Sequence, residues 1–451
     1  MNGENVMRIF GWVTAAAFVI SAVACGGGGG SSSGSPTGNL AGSASAAGSP
    51  TNTSTSTSVN PVEPSAVPSA STAPNAVPIL VSSALSGRHN LLTTTVVICM
   101  PGTNATLNCS TIGNVLVDTE SFGLRLFASA VPTSTLSALP AQTHASTGGA
   151  IAECALFVSG YTWGTVRNAD IRMSGEVAQN VPIQVMADPS LSALAPLDCQ
   201  LSSAFSTPSI LGVNGILGIG VNPRDCGMAC ANSAPAGFYY TCSGQICTPT
   251  SQALSQQVAN PVQFFSADNN GVVVELPAIA ASGASSVAGT LVFGIDTQPN
   301  NMLGGSGATV LSTDIYGDFD ATYNGASIVG KAFFDSGSTD LFFQDASIGT
   351  NSSGFYNPSS TLARSVSIAG RNLVSATINF NVADANALLA SGNYAFNDIG
   401  HYLSQTFDFG LPFFFGRHVY YGIAGMSSIG GGNGPYVAYT SGPSGSSSNS
   451  L

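Results

Sequence analysis

The chain has 451 residues, of which only 7% are charged, with 22 Asp and Glu against 10 Lys and Arg and a net charge of −12. Apolar residues make up 44%, enough for a large buried core, and 53 glycines, 24 prolines and abundant Ser, Thr and Asn take the place of the missing charge. A nucleic-acid binder, which needs a basic footprint to displace counterions, is excluded, and so is a long coiled coil, which needs Glu, Lys and Arg on its outer faces. What remains is a strand-rich, extracytoplasmic protein of about two to three domains.

Residues 1–25 read as an export signal, with Arg8 followed by the mostly apolar run Ile9–Ala24. The run is short for a membrane span, and glycine-rich sequence follows it. Its end, Ala22-Val23-Ala24-Cys25 before a glycine tract, resembles the lipobox of bacterial lipoproteins. That resemblance implies removal of the signal and acylation of Cys25; an ordinary secretory cut near Ala24 is the alternative. Residues 26–76 carry almost no large apolar groups and are expected to form a disordered tether, with a similar flexible tail at 441–451. The folded body is expected between them, over 77–440.

Within the body, Thr95–Ile98, Val115–Val117, Ile183–Met186, Val272–Val274, Thr290–Phe293 and Ala376–Phe380 are short β-branched or aromatic runs separated by Gly, Pro, Asn and Ser, and are expected to be strands. Helical signals are few: Ser251–Phe265, interrupted at Pro261, and Asp384–Leu389. Setting Cys25 aside leaves Cys99, Cys109, Cys154, Cys199, Cys226, Cys230, Cys242 and Cys247, an even set suited to four disulfides in an oxidising compartment. Cys99 and Cys109 flank a turn region and suit a hairpin closure, and the 226–247 cluster suits a pinned loop; the full connectivity is open. No metal or other cofactor is expected: the cysteine spacings are irregular, and His89, His144, His401 and His418 are scattered. Asp296, Asp314, Asp318 and Asp320 lack the spacing of a calcium loop.

One internal repeat carries chemistry. Val115-Leu116-Val117-Asp118-Thr119-Glu120-Ser121 is matched 217 residues on by Ala332-Phe333-Phe334-Asp335-Ser336-Gly337-Ser338. A strand ending in a carboxylate before a tight hydroxyl-rich turn projects that carboxylate from a rigid base. Two such carboxylates held close cannot both ionise, so one serves as acid and the other as base.

These residues resemble the pepsin-like aspartic proteases, whose lobes each supply an Asp-Thr/Ser-Gly loop. Asp335-Ser336-Gly337 matches that loop, and Asp118-Thr119-Glu120 matches two of its three residues. Asn214–Gly220 and Gly410–Tyr420 look like the hydrophobic-glycine elements that thread beneath the loops, Gly294-Ile295-Asp296 resembles the turn between lobes, and Tyr161-Thr162-Trp163-Gly164 falls where the family has a flap tyrosine before a hairpin turn. The order of elements fits across about residues 90–425. A narrower resemblance is to a bacterial family of predicted lipoproteins with no assigned activity.

The resemblance implies an all-β, bilobal fold, with an N-terminal lobe over 77–295 and a C-terminal lobe over 296–440. It implies a catalytic pair, Asp118 and Asp335, with Thr119 and Ser336 tying the loops together, Ser121, Gly337 and Ser338 supporting the pair, and Tyr161 and Trp163 lining a flap over an extended peptide or protein ligand. A monomer in the bacterial cell envelope is expected, held to the outer membrane by the N-terminal lipid and facing the periplasm or the surface; simple secretion is the alternative. Glu120 stands where the family has glycine. It predicts strain and a third carboxylate at the pair, and leaves open both an active peptidase and an inactive, peptide-binding relative. A β-sandwich adhesin is a third reading, and predicts that Asp118 and Asp335 lie apart.

Overall fold

A computed structural model describes residues 73–83 and 86–440. The expected export signal, Cys25, most of the 26–76 segment and the 441–451 tail lie outside these residues. From the N-terminus the strands are β1 (Ala76–Val81), β2 (Leu92–Cys99), β3 (Ser110–Asp118), β4 (Phe122–Phe127), β5 (Ala150–Phe157), β6 (Gly160–Met173), β7 (Glu176–Met186), β8 (Gly215–Ile219), β9 (Tyr239–Ser243), β10 (Ile246–Pro249), β11 (Gly271–Leu276) and β12 (Val287–Phe293). They continue as β13 (Thr309–Ser312), β14 (Phe319–Tyr323), β15 (Ala326–Phe333), β16 (Leu341–Phe343), β17 (Leu362–Ala369), β18 (Ser375–Val382), β19 (Gly400–Tyr402), β20 (Phe407–Asp408), β21 (Arg417–Gly422), β22 (Ser427–Ser428), β23 (Gly432–Asn433) and β24 (Tyr436–Tyr439). All six runs expected to be strands lie inside these elements, and the fold is all-β.

The larger sheet runs β10-β9-β5-β6-β7-β4-β8-β3-β2-β1-β12-β11-β21-β24-β13, and β2 pairs a second time with β6. That extra pairing closes β2, β3, β8, β4, β7 and β6 into a barrel filled by Val96, Ile98, Val115, Val117, Leu124, Ile171, Ile183 and Leu217. Strands β4 and β8 are buried along their whole length, as closure requires. The second sheet runs β18-β17-β14-β15-β20-β16-β19. Its β14–β15 hairpin turns at Asn324-Gly325, both at positive φ, the turn chemistry that matches the twist of the flanking strands. One buried apolar cluster joins the barrel interior to Phe319, Phe343 and Phe407 of the second sheet and to Phe334, just past β15. Strands β13, β21 and β24, from beyond residue 296, belong to the larger sheet, so that sheet spans the expected lobe boundary.

Helices are short: among the described residues they are α1 (Thr133–Ala138), α2 (Pro208–Leu211), α3 (Met228–Asn232) and α4 (Ala385–Ala390). The last is the expected Asp384 helix, with the Asp384 carboxylate capping Asn386 N–H at 3.0 Å. The segment 251–265 differs from its expectation. It forms only 3₁₀ turns at Leu254–Gln256 and Pro261–Phe264. Pro261 removes a donor, and the buried side chains of Gln257 and Asn260 bond to the backbone at Gly227, Gln252 and Gly220, competing with a helical ladder. No helix among the described residues is long and apolar enough to cross a membrane.

The eight cysteines form four disulfides: Cys99–Cys109, Cys154–Cys199, Cys226–Cys230 and Cys242–Cys247. The first closes the β2–β3 hairpin as expected. The 226–247 cluster resolves into two local bridges, the second joining directly paired residues of β9 and β10. Cys154–Cys199 closes a 45-residue separation. Replacing both cysteines with alanine is therefore expected to lower stability by about 4 kcal/mol, read as the shift of a denaturant unfolding curve.

Candidate active site

Asp118 is the last residue of β3, and Asp335 follows β15 by two residues. Each carboxylate is held in the same way. Asp118 accepts from Glu120 N–H at 3.0 Å and from the Ser121 hydroxyl at 2.6 Å. Asp335 accepts from Gly337 N–H at 2.7 Å and from the Ser338 hydroxyl at 2.7 Å. The two turns are tied across 217 residues: Ser336 N–H donates to Thr119 Oγ1 at 2.9 Å, Thr119 Oγ1 donates to Phe334 C=O at 3.1 Å, and Ser336 Oγ donates to Val117 C=O at 2.7 Å. The Tyr421 hydroxyl donates to the same Phe334 carbonyl at 2.7 Å. Phe334 itself stacks on Phe413 at 4.1 Å between ring centres, which anchors the second turn in the core.

The carboxylates face each other. A side-chain carbon at Gly337 would lie 2.9 Å from Asp118 Cγ and Oδ1 and 3.1 Å from Asp335 Oδ1. Glycine at 337 is thus required by the approach of both acids. This proximity is contrary to the adhesin expectation.

A parallel strand threads beside each aspartate. Strand β8 pairs with β3, placing Leu217 beside Val117 and Gly218 beside Asp118. Strand β20 pairs with β15, placing Phe407 beside Ala332 and Asp408 beside Phe333. The first threading element is the expected one. The second begins at Phe407, not at Gly410: Gly410–Tyr420 is a 3₁₀ turn at Leu411–Phe414 leading into β21. Asp408 hid it, because a carboxylate occupies a position where the pattern calls for an apolar residue.

Asp408 is the site residue that sequence reasoning missed. It is buried and accepts from Gly410 N–H at 2.8 Å. Burial pushes its carboxyl up to about 8, against the opposing pull of the Ser338 hydroxyl and the Gly410 N–H. Burial, then the charges of Asp118 and Asp408, hold Asp335 well above the usual carboxylate range.

Glu120 departs from one expectation and meets another. No strain appears: its φ is not positive, and its N–H still reaches Asp118. Its carboxyl turns toward Gly317, where a side-chain carbon would come within 2.8 Å of Oε1. It nevertheless joins the acidic group. Burial, then Asp318, Asp335, Asp118 and Asp408, push it well above its ordinary value, and Oε1 is buried without a hydrogen bond.

Tyr161 and Trp163 lie elsewhere than expected. The hairpin turn is Val158–Ser159, before Tyr161 rather than after it, and residues 161–164 are inside β6. Gly164 marks a close strand contact, since a side-chain carbon there would collide with Val185 C=O of β7, while Gly160 lies against Phe205 and Ser203. Tyr161 packs with Cys154, Cys199 and Tyr240, while Trp163 packs edge-on to Tyr240 and donates to Ala193 C=O at 3.0 Å. These contacts make both residues part of the disulfide-pinned subcore.

Asp296, Asp314, Asp320 and His89 bond within the scaffold. Asp296 accepts from Leu303, Gly304 and Gly430 N–H, Asp314 closes the 314–318 turn, and Asp320 accepts from Gly330 N–H. His89 bonds Asp340 at 2.7 Å. Beside it, Asn90 donates to Thr339 C=O at 2.7 Å, fastening the segment before β2 to the turn after Asp335. No group of His, Cys, Asp or Glu among the described residues is placed to hold a metal ion.

The model of one protein family, described as a protein of unknown function (DUF3443), matches residues 71–439. The chain belongs to that family. No curated protein matches it. The family match takes in both aspartate turns, both threading strands and all four disulfides.

The buried acids make stability fall as pH rises. A carboxyl whose folded value is raised binds its proton more tightly folded than unfolded, so its contribution is complete below the unfolded value and is lost as pH climbs to the folded one. Asp408, near 8, Asp398, near 6, and Glu120 and Asp335, both raised well above the usual carboxylate range, all act this way. Asp170 opposes them in acid: despite burial, N–H bonds from Asn180, Ala105, Gly102 and Thr103 hold it low, so its contribution is lost as pH falls below about 4. Tm measured from pH 3 to 9 is therefore expected to peak in mild acid, between about 4 and 6, with each shifted unit worth about 1.4 kcal/mol.

Proposed function

We propose that this chain is an exported, pepsin-like aspartic endopeptidase with two lobes, acting on extended peptide segments. The observation that carries the reading is the approach of Asp118 and Asp335 across two turns tied by Thr119 and Ser336. In this reading Asp118 is the ionised base and Asp335 the acid. Asp118 takes a proton from water as the water oxygen attacks the peptide carbonyl carbon, and Asp335 gives its proton to the carbonyl oxygen. The resulting diol collapses as the C–N bond breaks: Asp118 passes its proton to the leaving amine, and Asp335 recovers one from the diol. Extended peptides offer main-chain hydrogen bonds to strand edges, so selectivity would rest on side-chain pockets. Four disulfides support a place outside the cytoplasm, and the proposed lipid on Cys25 would hold the protein to the envelope.

A second reading is favoured by Glu120: a third acid at the pair suits a relative that binds peptides or proteins without cleaving them. Wild type, Glu120→Gly and Asp335→Asn, assayed on casein or a peptide library from pH 3 to 8, separate the two. Cleavage by wild type that Asp335→Asn removes supports the peptidase. Cleavage only in Glu120→Gly supports an inactivated relative. A folded wild type and Glu120→Gly that both leave every peptide intact overturn the peptidase reading.

A further inference from the structure

We propose that the groove along the open edge of β15 is a strand-addition site for an extended segment of another protein, apolar where it meets Val329 and acidic where it meets Lys331. The inference goes beyond the peptidase reading and stands whether or not the aspartate pair cleaves.

The internal repeat reveals the groove. It extends upstream of the aspartates: Ser110-Thr111-Ile112-Gly113-Asn114 and Ser327-Ile328-Val329-Gly330-Lys331 stand at the same 217-residue offset. Each run belongs to a hairpin and leads through a bulge to a parallel strand, β8 or β20. In the first half this run is covered. Ser110 and Thr135 of α1 share a hydroxyl bond at 2.7 Å. Asn214 donates its N–H to Asn114 C=O at 2.8 Å and its side-chain amide to Gly113 C=O at 2.9 Å. Ile112 is 3% exposed. In the second half the cover is missing among the described residues. Residues 350–355, at the offset of α1, form a turn closed by Gly354 N–H on Asn351 C=O at 3.1 Å, and the chain then passes to β19, where Tyr356 N–H donates to Gly400 C=O at 2.9 Å. The approach to β20 runs through Gln405 at φ 64°, and β20 pairs with β15 at Ala332 and Phe333 alone. Val329, the counterpart of Ile112, is 66% exposed.

A groove of about 600 Å³ follows this edge, with Ser327, Ile328, Val329 and Lys331 on one wall and Gln344 and Gln405 on the other. Ligand clefts are commonly of that size. Hairpin geometry sets which main-chain groups face it. The Asn324-Gly325 turn has two residues, so Tyr323 and Ala326 exchange both main-chain bonds, and so do Ala321 and Ile328. Ser327, between those pairs, and Val329 therefore turn N–H and C=O to the open side. Gly330 N–H turns back to Asp320 Oδ1 at 2.6 Å, which ends the open stretch. An apolar edge of this kind takes an added strand: main-chain bonds supply affinity, and alternate side chains supply selectivity. From Ala326 to Lys331 the wall runs about 20 Å, the length of a short strand. Charge selects the occupant. Lys331 is the single lysine of the chain. Asp345, the acid that lines the same groove, is engaged by Arg364 at 3.1 Å and by the Tyr323 hydroxyl at 2.8 Å. An acidic side chain in the added strand meets a cation here, on a protein whose net charge of −12 repels it elsewhere.

The test uses the full chain carrying Asp335→Asn, so that peptides stay intact, and the acetylated, amidated peptide Thr-Val-Thr-Val-Glu-Val-Thr. Fluorescence polarisation of the labelled peptide reads binding, and hydrogen exchange followed by mass spectrometry reads its place. Exchange over residues 326–331 should slow as the peptide saturates. Lys331→Glu should weaken binding by about tenfold and strengthen binding of the same peptide with Lys in place of Glu. Val329→Arg, which fills the groove, and Ser327→Pro, which removes an outward N–H, should each abolish the slowing in a folded protein. N-methylation of alternate peptide amides should abolish it as well. Unslowed exchange over 326–331 at about 1 mM peptide, or unchanged affinity in folded Lys331→Glu and Val329→Arg, overturns the inference. Slow exchange there without peptide also overturns it: a second copy covers the edge if the slowing grows with protein concentration, and the chain's own 26–72 segment does so if it does not. Binding at this edge by a wild type that cleaves nothing upholds the inference and counts against the peptidase reading.

Discussion

Asp335→Asn should reduce peptide cleavage by three orders of magnitude or more while raising Tm near neutral pH. The loss follows from the role: general acid and base groups contribute about 10²–10⁴ each, and the two aspartates act as a unit, so removing one disables both. Asp118→Asn should cost about as much, and the double variant little more. The gain in Tm follows from burial. Asp335 sits among Asp118 and Asp408 and binds its proton far more tightly folded than unfolded, so at pH 7 folding opposes its ionisation. Asparagine has no charge to bury, keeps an oxygen to accept from Gly337 N–H, and places an amide NH₂ that can donate to Ser338 Oγ. Kinetics and thermal melts of one sample check both halves. Loss of activity together with a lowered Tm would mark a structural aspartate.

Arg125→Met should cost about 3–5 kcal/mol, the largest single-site loss of stability expected in the barrel. Arg125 is buried on β4 and donates to Glu153 at 2.5 Å and to Phe122 C=O at 3.0 Å, with Asp225 at 3.6 Å. The Tyr239 hydroxyl donates to Asp225 from β9 at 2.7 Å. One guanidinium thus stands against two buried acids, and burial together with Glu153 already pushes Asp225 well above its usual range. Removing the cation leaves that pair uncompensated. Adding Glu153→Gln and Asp225→Asn to Arg125→Met should recover part of the loss, because a neutral network needs no counter-charge. The denaturant midpoints of the single and triple variants check this. Activity should fall only with folding, since these residues do not touch the pair.

Legibility from sequence followed the range of the interaction. The strand at Val115–Val117 announces itself by composition, and its aspartate by the change to Thr and Ser, because both are local. The Cys99–Cys109 bridge is local in the same sense. Tyr161 was misplaced because a tyrosine beside glycine reads equally as a turn or as a strand in close contact. The side of Tyr161 on which the chain reverses depends on the β5–β6 register, with Phe157 opposite Gly160. Asp408 was invisible for a related reason. In sequence it is an acid interrupting an apolar run; only the parallel pairing with β15 sets it beside Phe333, two residues before Asp335.

The sequence by itself determined the all-β class, eight cysteines beyond Cys25 suited to disulfides and the two Asp-hydroxyl turns, since each is read from composition or from neighbours within a few residues. The tertiary structure decided which cysteines pair, where β20 threads and that Asp118 and Asp335 face each other. Those outcomes depend on groups far apart along the chain, brought together by the closure of the barrel and by a shared core. The low charge that first excluded nucleic-acid binding takes on a second meaning there. With few charges in the whole chain, the acids gathered around Asp335 have little cationic company, and burial together with those acids raises Asp335 well above the usual carboxylate range.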